Sequence, residues 1–251
     1  MTPRVSIITT VRNRERFLEA AVRSVRTQTF GDFEHILYDD GSEDGSLAMA
    51  ERLAAEDPRV RVVQGEHRGV VGALKAAHGH ARGPLIGWLD SDDLLVSTAL
   101  EETAGVLAAR PDAGLVFTEH VLIDEAARLI PTPPRVVAPF DAAHLLTELV
   151  SFHFRLFRRE VFEACGGIDD SFTAAPDYDF CLRASEVCRF VHLARPLYCY
   201  RRHGGAISSA RRLEQIDNSR RAVENAIVRR GLSDRFALKV EISARFSLVP
   251  R

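Results

Sequence analysis

The chain has 251 residues, of which 46% are hydrophobic and 27% charged, so it is long enough for one large α/β domain with a sizeable core. A formal net charge of −2 gives no electrostatic case for nucleic acid as a partner. Cys165, Cys181, Cys188 and Cys199 form no CxxC pair, which argues against a zinc knuckle or a redox motif and for buried reduced thiols.

The chain enters a strand almost at once, with no signal-peptide apolar region and no apolar run long enough to span a bilayer. Val5 to Thr9 is a β-branched run, followed by the polar loop Thr10-Val11-Arg12-Asn13-Arg14 and by helical spacing of Phe17, Leu18, Ala21, Val22 and Val25. A second strand over Phe33 to Tyr38 ends in Asp39-Asp40-Gly41-Ser42, and a helix follows from about Asp44 to Ala55. Val60 to Val63 is a third strand, Val70 to His80 a helix, and Leu85 to Leu89 a fourth strand that ends in Asp90-Ser91-Asp92-Asp93. Such alternation predicts a mostly parallel central sheet with helices on both faces, and ligands bind outside the carboxyl ends of its strands. The three polar loops, Thr10 to Arg14, Asp39 to Ser42 and Asp90 to Asp93, fall at those ends and should share one crevice.

Three carboxylates in four residues admit two readings: ligands for a hard cation such as Mg²⁺ or Mn²⁺, or caps for the helix expected over Ser97 to Ala109. Gly114 to Thr118 reads as another strand, and Pro131, Pro133, Pro134 and Pro139 mark an irregular connection. Beyond it come a short helix, the aromatic stretch Phe152-His153-Phe154-Arg155-Leu156-Phe157, a helix from Glu160, and Cys165-Gly166-Gly167-Ile168-Asp169. A helix over Asp177 to Glu186 and short strands over Phe190 to Leu193 and Leu197 to Arg201 complete that region. The tail from Arg211 to Arg230 is helical and basic, with an apolar stripe at Leu213, Ile216, Val223 and Ile227. That helix is open to packing on the domain, docking on an anionic membrane, or a homodimer contact. Residues 248 to 251, Leu-Val-Pro-Arg, resemble a protease-cleaved linker.

Five segments in this order, Val5 to Arg14, Tyr38 to Ser42, Asp90 to Asp93, Gly166 to Asp169 and Asp177 to Arg183, resemble those of family 2 glycosyltransferases. The resemblance spans roughly residues 4 to 204 and implies the α/β GT-A (nucleotide-diphospho-sugar transferase) fold. It also implies a nucleotide-sugar-binding half over residues 1 to 113 and an acceptor-binding half over 114 to 247, in one continuous domain. Carried onto matching positions, Thr10, Val11 and Arg12 would line the nucleoside, and Asp39 would accept the imide N–H of uracil or thymine. Asp90 would hold the ribose with Ser91 beside it, while Asp92, with His203, would bind the divalent metal, Mn²⁺ or Mg²⁺. Asp177 would be the general base of an inverting transfer from a UDP or dTDP sugar to a hydroxyl acceptor, a glycan, glycolipid or small molecule.

Three positions depart from the family: Pro176 replaces the Glu usual before the base, and Gly72 and Lys75 stand where relatives carry polar residues. Asp93 is expected to start a helix, Asp179 is a weaker base candidate, and Lys75 is either a phosphate ligand or a solvated helix charge. The expected role is a bacterial enzyme of the cytoplasm, with peripheral attachment at the inner membrane as a second option, serving polysaccharide, glycolipid or natural-product assembly. A nucleotide-sugar-binding protein without activity is the alternative. A nucleotidyltransferase or a nicotinamide dehydrogenase would need a Gly-rich loop after the first strand, and Thr10 to Arg14 has no glycine.

Overall fold

The computed structural model describes residues 2–131, 140–147, 153–205 and 211–242. Pro133, Pro134, Pro139, Phe152 and the terminal residues 248–251 lie outside the described residues.

The first half follows the alternation read from the sequence: β1 (Val5–Val11), α1 (Glu15–Arg26), β2 (Phe33–Asp39), α2 (Ser46–Glu56), β3 (Val60–Gln64), α3 (Gly69–His78) and β4 (Leu85–Trp88). The second half runs β5 (Leu94–Leu95), α4 (Ala99–Ala109), β6 (Ala113–Ile123), β7 (Leu129–Ile130), β8 (Arg155–Arg158), α5 (Arg159–Ala164), α6 (Pro176–Val187), β9 (Arg189–Arg201) and α7 (Arg212–Arg229). The short helix expected after Asp141 is one 3-10 turn, His144–Leu146.

These strands form one nine-stranded sheet in the order β3-β2-β1-β4-β8-β6-β9-β5, with β7 on β6. The pairs β1–β2, β2–β3, β1–β4 and β6–β9 are parallel. The aromatic stretch at β8 is antiparallel to both its neighbours, β4 and β6, and joins the two halves. The two short strands expected between Phe190 and Arg201 are one long β9. Leu193 partners Thr118 and Pro196 partners Glu119, so Ala194 and Arg195 are looped out in a bulge. A bulge is where a strand accommodates a proline, which has no N–H for the ladder.

Alternation along the strands divides the core between two faces of the sheet. Val5, Ile7, Leu85, Val116, Phe154 and Leu156 pack under α1 and α4. Ile8, Ile86, Trp88, Phe117 and Phe157 pack under α3, α5, α6 and α7. A third cluster joins Val11 and Leu37 to α1 and α2 through Leu18, Val22 and Leu53.

The tail helix α7 packs back on the domain through Ala222, Val223 and Ala226, whereas Leu213 is exposed. Its arginines are largely paired: Arg211 with Glu214, Arg220 with Asp217 and Glu224, and Arg229 and Arg230 with Glu186. Among the described residues no helix is long and apolar enough to cross a membrane.

Candidate active site

The parallel strands β1, β2 and β4 deliver their carboxyl ends to one edge of the sheet, where the polar loops meet. Asn13, left-handed at φ 52°, turns the first loop toward the second: its N–H donates to Ser42 Oγ at 3.1 Å and its Oδ1 accepts from Glu43 N at 2.8 Å. Arg12 fastens the same two loops, donating to the carbonyls of Asp40 and Gly41 at 2.9 and 2.7 Å and pairing with Glu43. Thr10 is half-buried beside it, while Val11 sits in the core beneath α1.

Asp39 and Asp40 are adjacent, both buried, and differently employed. Asp40 holds the start of α3, accepting from Arg68 N at 2.7 Å, Gly69 N at 3.0 Å and His67 Nδ1 at 2.8 Å. Asp39 Oδ2 accepts from Ser42 N at 3.0 Å, but its buried Oδ1 has no hydrogen-bond partner among the described residues.

The loop after β4 places its carboxylates in three environments. Asp90 is open to the crevice, yet the surrounding protein, and then the charges of Asp92 and Asp177, push its carboxyl up to about 7. Ser91 is buried beside it. Asp92 Oδ2 meets Arg14 Nε at 3.2 Å and His203 Nε2 at 3.0 Å, while Oδ1 makes no hydrogen bond among the described residues. Asp93 is not the helix-start acid expected from sequence; α4 begins after Thr98. It is instead buried, accepting from Tyr198 Oη and Arg201 N, each at 2.7 Å, so it ties the loop to β9. Burial, reinforced by Asp90 and Asp92, pushes the Asp93 carboxyl up to about 8.

His203 therefore reaches Asp92 because β9 is anchored on Asp93. Gly205 N donates to His203 Nδ1 at 3.2 Å, which puts the ring proton on Nε2, facing Asp92. A cation held by both would take the place of that proton. One carboxylate and one imidazole, with phosphate and water as the other ligands, suit Mg²⁺ or Mn²⁺ at a diphosphate. Among the described residues no cluster of three or more His, Cys, Asp or Glu side chains is placed to hold a metal, so such an ion would need substrate oxygens.

Asp177 stands in the first turn of α6, whose start is set by Pro176 at its first position and by left-handed Ala175 at φ 52°. The preceding loop turns on Gly166 and Gly167, both at positive φ, and is held by Arg183, which donates to the carbonyls of Cys165 and Gly167. Asp179 is buried and pairs with Arg183 at 2.6 Å, a structural use of the second acid in this segment. Asp177 Oδ2 accepts from Arg155 Nη2 at 3.1 Å. Burial works against its ionisation, but the charge and hydrogen bond of Arg155, with His153, outweigh that and hold it below the usual carboxylate range. Asp177 is close enough to Asp90 to raise that carboxyl, so both belong to one crevice.

Lys75 is on the surface, paired with Asp170 at 2.6 Å. Arg14 and Arg155, which touch Asp92 and Asp177, received no role from the sequence. The available signal for Arg155 was a charge inside the apolar run from Phe154 to Phe157, a place that demands a carboxylate partner. Arg14 carried no such signal.

Residues 6–166 match the sequence model of Glycosyl transferase family 2. The chain is 30% identical over 233 residues to a hyaluronan synthase of Pasteurella multocida, covering 92% of this chain and 24% of that protein. It is 31% identical over 232 residues to a chondroitin synthase of Escherichia coli, covering 92% of this chain and 33% of that protein. The chain thus spans a third or less of the length of these relatives. S. aureus TarS, residues 1–349 in complex with UDP, superposes with a TM-score of 0.71 at 17% identity, over 90% of this chain and 65% of that one. A mannosyltransferase, PcManGT of Pyrobaculum calidifontis, in complex with GDP-Man and Mn²⁺, superposes with a TM-score of 0.64 at 16% identity, over 95% of this chain and 77% of that one.

Proposed function

The chain belongs to glycosyl transferase family 2 and has the GT-A fold, and from that premise we propose that it moves a sugar from a UDP or dTDP sugar to a hydroxyl acceptor with inversion. The observation that carries the choice of nucleotide is Asp39. Its buried Oδ1 has no partner among the described residues, and a buried acceptor left unmet costs about 1–3 kcal/mol. Because Oδ2 is taken by Ser42 N, Asp39 has room for one further N–H. A uracil or thymine imide presents one; the Watson–Crick edge of guanine presents two side by side and would seek both oxygens.

Asp90 is open to the crevice and suits the ribose hydroxyls. Asp92 and His203 would hold Mg²⁺ or Mn²⁺, which when bound supplies positive charge to the departing diphosphate. Arg14 adds a permanent positive charge beside Asp92. Across the crevice Asp177 Oδ1 accepts the proton of the acceptor hydroxyl as its oxygen bonds to the anomeric carbon. The bond from that carbon to the diphosphate oxygen breaks, and its electron pair leaves with the nucleoside diphosphate. The relatives named hyaluronan synthase and chondroitin synthase support a saccharide acceptor in polysaccharide assembly.

The test is a thermal-shift panel of UDP, dTDP, GDP, CMP and ADP, each with Mn²⁺, Mg²⁺ or chelator. UDP or dTDP with metal is expected to raise Tm by several degrees at saturating ligand, and Asp92→Ala to lose the metal-dependent part. A larger shift with GDP would overturn the pyrimidine assignment. Binding of UDP with no UDP release from any UDP sugar would leave a binding protein rather than a transferase.

A further inference from the structure

Arg155 is buried on the face of the sheet that carries Trp88 and Phe157. An arginine is stable in such a place only against a counter-charge. Asp177 is that counter-charge, and the Arg155 guanidinium also lies over Trp88, 5.4 Å from the ring centroid. The pair is lopsided: the Arg155 side chain is 4% exposed and that of Asp177 43%. One carboxylate oxygen is therefore fixed from the sheet below. The other, Oδ1, makes no hydrogen bond among the described residues.

The backbone under Asp177 is already set by Pro176 and left-handed Ala175, so the freedom left to the carboxylate is its own side-chain torsions. Resting on the reading of Asp177 as the base, we propose that Arg155 is its positioning residue, pinning Oδ2 so that Oδ1 alone is turned to the acceptor hydroxyl. The charged and titratable groups acting on Asp177 are Arg155 and His153 from the β8 segment; Asp177 in turn acts on Asp90 and on Cys181 of its own helix. Asp90 opposes a second negative charge in the crevice, and Arg155 offsets it. Arg155 thus has a second effect, lowering the pKa of the base against the burial that raises it.

The test uses the full chain, with UDP release from a panel of UDP sugars in Mn²⁺, water serving as acceptor. Asp177→Asn is expected to lower kcat by roughly 10²–10⁴-fold; a wild-type rate in that variant would sink the base reading itself, whatever Arg155 does. Given that loss, Arg155→Met should lower kcat by about tenfold or more and move the acid limb of its pH profile upward, with the KM for donor within about twofold. Arg155→Lys should restore the acid limb but not the full kcat, because an ammonium supplies the charge without the fork. An acid limb and kcat that stay put in Arg155→Met would overturn the proposal. A substrate-free measurement stands beside these: in a ¹³C titration of the wild type, assigned with Asp177→Asn, the Asp177 carboxyl should titrate below the usual aspartate range. Titration above that range would overturn the proposal even if Arg155→Met failed to fold.

Discussion

Asp39 and Asp40 show how little separates a carboxylate with an oxygen to spare from one consumed by the fold. Both are buried, yet Asp40 meets three N–H donors and Asp39 keeps one oxygen unmet. Asp40→Ala should therefore destabilise the fold by about 2–4 kcal/mol, as the start of α3 loses its acceptor. Asp39→Ala should change stability by less than about 1 kcal/mol, since one lost hydrogen bond is offset by removal of an unmet acceptor. Urea unfolding separates them, and the UDP-dependent thermal shift should vanish in Asp39→Ala alone once each variant is compared with its own ligand-free midpoint. Equal destabilisation by both would contradict the division of roles. Adjacent acids in a turn motif look alike in sequence; which one is consumed depends on Arg68 and Gly69, which arrive from the next loop.

The elements themselves were largely legible. The β-branched run of β1, the apolar run of β4 and the helical spacing in α1 and α4 all formed within a few residues of the expected bounds, because each buries a face that its own periodicity defines. What was not legible depends on partners far along the chain. The direction of β8 is decided by how the connection returns between β4 and β6, not by its own residues. The segment between Leu193 and Leu197 read as a break between two short strands, but the bulge opposite Glu119 absorbs it. Asp93 looked like a local cap, and its true partners are 105 and 108 residues away. The close approach of β8 to β4 makes a prediction of its own. A Cβ on Gly87 would come within 2.7 Å of the buried ring of Phe154 and 3.0 Å of Ile7 Cδ1. Gly87→Ala should cost about 1–3 kcal/mol by overpacking, measured as a lower urea midpoint with an unchanged m-value.

For the whole molecule, acid is the condition that exposes the cost of the buried histidines. His35 is fully buried against Thr9 Oγ1 at 2.9 Å, and burial pushes its pKa down to about 3. His78 accepts from Trp88 Nε1 at 2.8 Å and stacks on Phe162, and burial, aided by Arg159, likewise pushes it down to about 3. In the unfolded chain both take up a proton near pH 6.5, whereas the folded chain takes up neither until about 3. Their contribution is therefore complete above pH 6.5 and is lost progressively as the pH falls toward 3, with a slope of up to about 1.4 kcal/mol per pH unit for each. Asp90 and Asp93, whose carboxyls are pushed up to about 7 and about 8, oppose that slope over the same range, because there the folded chain holds protons that the unfolded chain has lost. The histidine share is therefore read by difference between wild type and variant in urea unfolding from pH 7.5 to 5. His78→Gln, which keeps an acceptor for Trp88, should remove one proton's share of it, and an unchanged slope would contradict the assignment.

The sheet order also sets a timetable for a growing chain. Strands β1 to β4 neighbour one another early in the sequence and bury much of their own surface, so they can assemble soon after synthesis. The loop carrying Asp90, Asp92 and Asp93 is made at the same time, yet it waits for Tyr198 and Arg201 to be translated before its last carboxylate is tied down. A nascent or truncated chain can therefore carry Asp90, Asp92 and Asp93 and still lack the contacts that fix their loop.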